Sequence, residues 1–94
     1  MGQELVLKWF YEEHKKDPKG KYRTKDILKG VLEMDKNISS SSIERSMQRL
    51  CFWSFIRREI GVQGWKDSYL ITPLGLSTAS TWEDLAAQDK LKNK

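Results

Sequence analysis

Residues Ile38 to Arg58, ISSSSIERSMQRLCFWSFIRR, constrain the fold more than any other stretch of the chain. Four serines in a row, Ser39 to Ser42, stand in front of an apolar pattern. Ser41 followed three residues later by Glu44 is a capping-box arrangement, in which a hydroxyl and a carboxylate satisfy the free N–H groups of a helix start. Ile43, Met47, Leu50 and Ser54 then fall on one side of a helix at ~100° per residue. Ser41, Arg45, Gln48 and Phe52 fall on the other side, with Ser42 and Arg49 beside them. The spacing predicts a helix over residues 41–53 with an apolar face inward and a face of serine, arginine and glutamine outward. FIRREIGV, immediately after it, reads as a strand. Standing alone, such a helix would be an ordinary solvated amphipathic helix.

The rest of the chain supplies a frame for it. Residues 4–16 read as a first helix, with Leu5, Val6, Trp9 and Phe10 on a core face. Leu7 and Tyr11 lie on the opposite side, and a helix apolar on two sides is usually covered on two sides. The expected cover is the C-terminal segment or a second subunit. Asp17-Pro18-Lys19-Gly20 ends this helix. Lys21-Tyr22-Arg23 is a short extended piece with Tyr22 inward. Thr24 is expected to N-cap a second helix over residues 24–35, with Ile27, Leu28, Val31 and Leu32 as its core stripe. Gly30 inside it either costs about 1 kcal/mol relative to alanine or lets another helix approach closely. The turn Asp35-Lys36-Asn37 then links the second and third helices into a helix-turn-helix unit.

Beyond Ser54, two β-prone runs around Gly61-Val62-Gln63-Gly64 predict a hairpin over residues 55–72. Tyr69 and Ile71 share one face of its second arm. Thr72 caps a further helix whose first residue, Pro73, needs no N–H partner. Ser80-Thr81-Trp82-Glu83 is a second capping-box pattern and predicts a C-terminal helix over residues 80–91. Residues 73–79 are then a separate turn of helix or the start of one longer helix.

The order Ser42-Ile43-x-Arg45-x-Met47-x-x-Leu50-x-x-x-Ser54-Phe55-Ile56-x-Arg58, followed by Tyr69-Leu70-Ile71-Thr72-Pro73-Leu74-Gly75, resembles winged helix-turn-helix transcriptional regulators of the MarR and PadR type. In those families a small residue, an apolar residue, an arginine and a leucine precede a Gly-apolar-apolar-x-Arg lead into the wing. A Tyr-x-Leu-Thr-x-x-Gly motif closes it. Ser54 stands where glycine is usual, and Glu44 where a small neutral residue is commoner. The resemblance implies an α+β, mainly α fold: one winged-helix domain over residues 1–94, with a three-helix core, a two-stranded wing and an extra C-terminal helix.

The function it implies is sequence-specific binding of double-stranded DNA by a small transcriptional regulator. The recognition helix would enter the major groove, and the wing would meet the backbone or minor groove. Ser40, Ser41, Ser42, Arg45, Gln48 and Arg49 are then the groove-facing residues. Gln48 and Arg45 are the candidates for base edges, since glutamine pairs well with adenine and arginine with guanine. Ser40 and Ser42 are assigned to phosphate or water-bridged contacts, and Ser41 to capping. Thr24 and Lys25 would contact phosphate, and Gln63 and Lys66 on the wing would reach the neighbouring minor groove or the backbone. Arg58 corresponds to a family position that is often structural or phosphate-binding. Trp65 has two readings, packing at the wing base beside Phe52 and an exposed contact residue, of which packing is preferred. A homodimer through helix 1 and the C-terminal helix is the expected assembly.

A second reading belongs to another class: a winged-helix protein-interaction module within a larger complex. Glu44 on the recognition face favours it, and Phe52, Trp65, Leu7 and Tyr11 would form its patch. RNA binding shares the charge argument.

Composition bounds these readings. With 94 residues the chain has room for one core, and aromatic residues make up 11% of it, each burying a large area. One cysteine, Cys51, leaves no internal disulfide and fits a cytoplasmic setting. No run is long and apolar enough for a membrane span, and no secretory signal pattern is present. The net charge of +4 permits nucleic-acid binding without requiring it. Lysine and arginine dominate between His14 and Gly30, with a second basic set at Arg45, Arg49, Arg57, Arg58 and Lys66. No catalytic, metal-binding or cofactor-binding constellation is expected. His14 is the only histidine, the pairs Glu12-Glu13 and Glu83-Asp84 do not face each other along a helix, and no glycine-rich loop precedes a helix.

Overall fold

A computed structural model of the chain describes residues 2–61 and 67–92, with side chains to Gln88. The described residues form four helices and a two-stranded antiparallel sheet, an α+β, mainly helical fold. In order they are α1 (Gln3–Lys16), α2 (Thr24–Met34), α3 (Ser40–Phe52), β1 (Ile56–Glu59), β2 (Ser68–Ile71) and α4 (Pro73–Lys92). The layout is compatible with that of a winged helix.

Helix α1 is the hub, touching α2, α3, α4 and β2. That explains its one departure from the expected pattern. Val6, Trp9 and Phe10 are buried as expected, but Leu7, assigned to an outer face, is fully buried as well. With neighbours on several sides, the apolar arc of α1 is wider than one stripe. The cover comes from the chain itself: Tyr11 lines a groove with Ala79 and Trp82 of α4, and Lys15 Nζ lies 4.5 Å from the Tyr11 ring centroid. Ile27 and Val31 of α2, Ile43, Met47 and Leu50 of α3, and Ile56 of β1 complete the core. Each fully buried aliphatic or phenyl side chain there contributes about 1.5–3 kcal/mol relative to exposure. Gly30 is where α1 and α2 come together, since a Cβ at this position would run into the Trp9 indole. Trp9 also meets Phe10 and Tyr22 edge-on, with ring centroids 5.2 and 5.0 Å apart.

The helix starts differ from the expected caps. Ser39, not Ser41, caps α3: its backbone is extended, and its Oγ accepts from Ser42 N–H at 3.1 Å. The run of four serines offers several registers, and the turn Asp35–Ser39 selects the first serine, because Ile43 can then enter the core. Glu44 therefore closes no capping box with Ser41. At α2 the N-cap is Arg23, with Thr24 the first helical residue. Asp26 Oδ2 accepts from Arg23 N–H at 3.3 Å, which supplies the reciprocal bond that a capping threonine would have complemented.

Helix α3 ends in a Schellman motif. Ser54 N–H donates to the Cys51 carbonyl at 3.0 Å and Phe55 N–H to the Leu50 carbonyl at 2.9 Å. Ser54 takes the left-handed conformation this motif needs, at φ 65°. It lies past the helix and is exposed, so it is no part of the apolar face assigned to it. The hairpin pairs Ile56 with Ile71 and Arg58 with Tyr69, and Tyr22 adds an isolated bridge to Tyr69. Thr72 joins the parts as expected: its hydroxyl donates to the Ser54 carbonyl at 2.6 Å and accepts from Gly75 N–H at 3.0 Å, capping α4. A Cβ at Gly75 would collide with the Phe55 carbonyl, so the first turn of α4 comes within backbone contact of the residue leading into β1.

The C-terminal helix is one piece from Pro73, not a new helix from Ser80. Nothing in the sequence stops it once Thr72 has started it. Inside it, Thr81 Oγ1 donates to the Ser77 carbonyl at 3.0 Å instead of capping.

Candidate functional site

The outward side of α3 is the place to look, because its inward side is consumed by the core. Ile43, Ser46, Met47 and Leu50 are buried, and Ser46 Oγ donates to the Ser42 carbonyl at 2.7 Å. That anchoring leaves Ser40, Ser41, Glu44, Arg45, Gln48, Arg49 and Phe52 exposed. Phe52 is 85% exposed. The side chains of Arg45 and Arg49 make no ion pair or hydrogen bond among the described residues. Lys25, exposed in the first turn of α2, is likewise without a carboxylate partner there.

Lys8, Lys19, Lys29 and Lys36 also lack a carboxylate partner among the described residues, but five other cations are paired. Lys15 pairs with Glu12 and Glu83, and Lys16 with Glu13. On the hairpin, Glu59 receives Lys21 at 2.7 Å and Arg57 at 3.1 Å. These bonds, Lys21 first and Arg57 after it, hold the Glu59 carboxyl below its usual range. Arg58 is held by Asp67, which accepts from its Nε at 2.6 Å. Asp67 also accepts from Gly61 N–H at 2.8 Å, and this bond, followed by Arg58, keeps its carboxyl below the ordinary value. The same Asp67 hydrogen bond keeps the Arg58 guanidinium firmly charged. Arg58 is therefore a strand brace rather than a free cation.

Some of the expected site residues meet and others do not. Thr24, Gln48 and Arg58 line one groove between the start of α2, the middle of α3 and the hairpin, together with Glu44 and Cys51. Burial raises the Cys51 thiol, partly offset by the Arg58 charge, which leaves it a packing residue rather than a nucleophile. Ser42 stands apart: it lines a different groove with Gly2, Lys8 and Asn37, and its hydroxyl accepts from Ser39 Oγ at 2.9 Å. It belongs to the cap before it belongs to any ligand. Gln63, Lys66 and Trp65 lie outside the described residues. Sequence reasoning misses Asp67 and Ser39. The first carries a readable signal, an acid that hairpin pairing brings beside Arg58. The second has none, since neighbouring serines are equivalent until the turn is known.

Among the described residues, no group of His, Cys, Asp and Glu could hold a metal ion, and no helix is long and apolar enough to cross a membrane. Comparisons with protein families, with curated proteins and with solved structures find no match.

Proposed function

We propose that the chain is a winged-helix domain that binds double-stranded DNA sequence-specifically, as a transcriptional regulator, with α3 in the major groove. The observation that carries this reading is the contrast in charge pairing. Arg45 and Arg49 project without carboxylate partners from a helix face that also presents Gln48, whereas Lys15 and Lys16 of α1 and Arg57 and Arg58 of the hairpin are ion-paired. Unpaired arginines need no desolvated partner to be broken before they meet a phosphate or a guanine edge. Gln48 is the residue positioned to choose a base, and Lys25 to hold the backbone. The hairpin, braced by Arg58 and Asp67, would lie beside the duplex.

A dimer through α4 suits this reading. Glu83 to Gln88 are all exposed, and one side of this stretch meets α1 only across a groove and the Lys15–Glu83 ion pair, so it is short of stabilising contacts. The outer face of α1 contributes less than expected, since Leu7 is buried.

Selection of bound duplexes from a random pool tests the function. Enrichment of a defined site, with Gln48→Ala relaxing the preference at one base pair, supports it. A pool that stays random contradicts it.

The second reading, a protein-interaction module, is favoured by the exposed Trp53, Ile60 and Leu74 and by Glu44 on the same face as Gln48. It predicts that a partner protein, not DNA, protects α3 from hydrogen exchange.

A further inference from the structure

Phe52 has no role in the core. It is 85% exposed at the last position of α3, while its neighbours Leu50 and Cys51 are buried and half-buried. Its direction is informative. At ~100° per residue, Ser41, Arg45, Gln48 and Phe52 fall within about 60° of one another, and Ile43 and Leu50 point roughly opposite. The ring therefore sits on the centre line of the polar stripe. Phe52 faces the same side as Arg45 and Gln48, about 10 Å further along the helix than Arg45. A phenyl ring offers nothing to a phosphate, and the floor of the major groove presents one apolar group, the C5-methyl of thymine.

We infer that Phe52 is a specificity residue that packs on a thymine methyl. This rests on the DNA-binding reading above. The helix sets the offset. Four residues beyond Gln48, at 1.5 Å per residue, is about 6 Å, or roughly two base pairs at 3.4 Å each. The thymine then lies about two base pairs from the base read by Gln48.

The methyl group isolates this contact. Replacing each thymine of a selected duplex by deoxyuridine, one at a time, removes the methyl and leaves every hydrogen-bonding edge in place. At one position in each recognised site, wild type should bind the uridine duplex about fourfold more weakly, the value of one buried methyl-sized group. Phe52→Ala, at so exposed a position, leaves the core untouched and should bind the thymine and uridine duplexes equally. A second variant, Phe52→Leu, retains an apolar contact and should keep part of the discrimination. If a site is selected but uridine costs nothing, or costs wild type and Phe52→Ala the same, the inference is overturned while DNA binding stands. A selected site with no thymine at the required offset overturns it in the same way. If no site is selected, the DNA reading falls and this inference with it, and an apolar protein contact becomes the role of Phe52.

Discussion

Ser54 carries a left-handed backbone where glycine would be at ease. A side chain in this region costs about 1–2 kcal/mol, and glycine gives back part of that through its greater freedom when unfolded. Ser54→Gly should therefore stabilise the fold by about 0.5–1 kcal/mol, read as a higher denaturant midpoint. An unchanged midpoint would show that the Schellman turn is not strained. A second residue-scale outcome separates the serines. Ser39→Ala should cost about 1 kcal/mol and Ser41→Ala only a few tenths, because Ser39 alone accepts the orphan N–H of Ser42. Equal losses would put the helix start elsewhere. The helix itself is legible from Ile43, Met47 and Leu50. Its first residue is not, because four adjacent serines have the same chemistry and only the incoming turn distinguishes them.

Between elements, the hairpin is held by carboxylates as well as by its ladder. Glu59 and Asp67 both titrate below their ordinary range in the folded chain, through bonds from Lys21 and Gly61 first and from Arg57 and Arg58 after. A depressed carboxylate stabilises the fold above its unfolded value, about 4, and that contribution disappears as pH falls through the folded value. Acidification below roughly pH 4 should loosen the β1–β2 pair before the helical core. The Gly61 amide is the reporter: its proton shift and its exchange rate should change in that window, and a flat profile would deny the Asp67 bond. The C-terminal helix and Leu7 show how context overrides local pattern. Ser80-Thr81-Trp82-Glu83 has the residues of a cap, but a cap matters only where the preceding chain is not already helical. Thr72 and Pro73 start the helix seven residues earlier, and no breaker intervenes. Periodicity misplaces Leu7 for a similar reason: it finds the centre of an apolar face, and neighbours decide how wide that face is.

At the scale of the molecule, where the charges sit matters more than how many there are. A net charge of +4 is modest, and alone it selects no partner. Which cations are spent internally is not legible in the sequence. Arg57 and Arg58 look equivalent there to Arg45 and Arg49, yet the hairpin pairs the first two with Glu59 and Asp67 and leaves the others open. Glu59 lies two residues from Arg57 on the same strand, and strand pairing brings Asp67 beside Arg58 from the other arm, a relation that helix periodicity does not contain. Electrostatic binding to a duplex scales with the phosphates that free cations neutralise, so it should respond to the unpaired set and not to the paired one.

The most direct test compares two double variants that remove the same charge: Arg45→Ala with Arg49→Ala, and Lys15→Ala with Lys16→Ala. The readout is fluorescence anisotropy on a labelled duplex across a salt series. Each phosphate contact contributes about 0.9 to the slope of log affinity against log salt, so the α3 pair should flatten it by about 1 if Arg45 lies on a base edge and by about 2 if both arginines lie on phosphates, and the α1 pair should leave it almost unchanged. Identical slopes for the two pairs, or no salt-dependent binding by the wild type, would contradict the assignment of α3 as the nucleic-acid face.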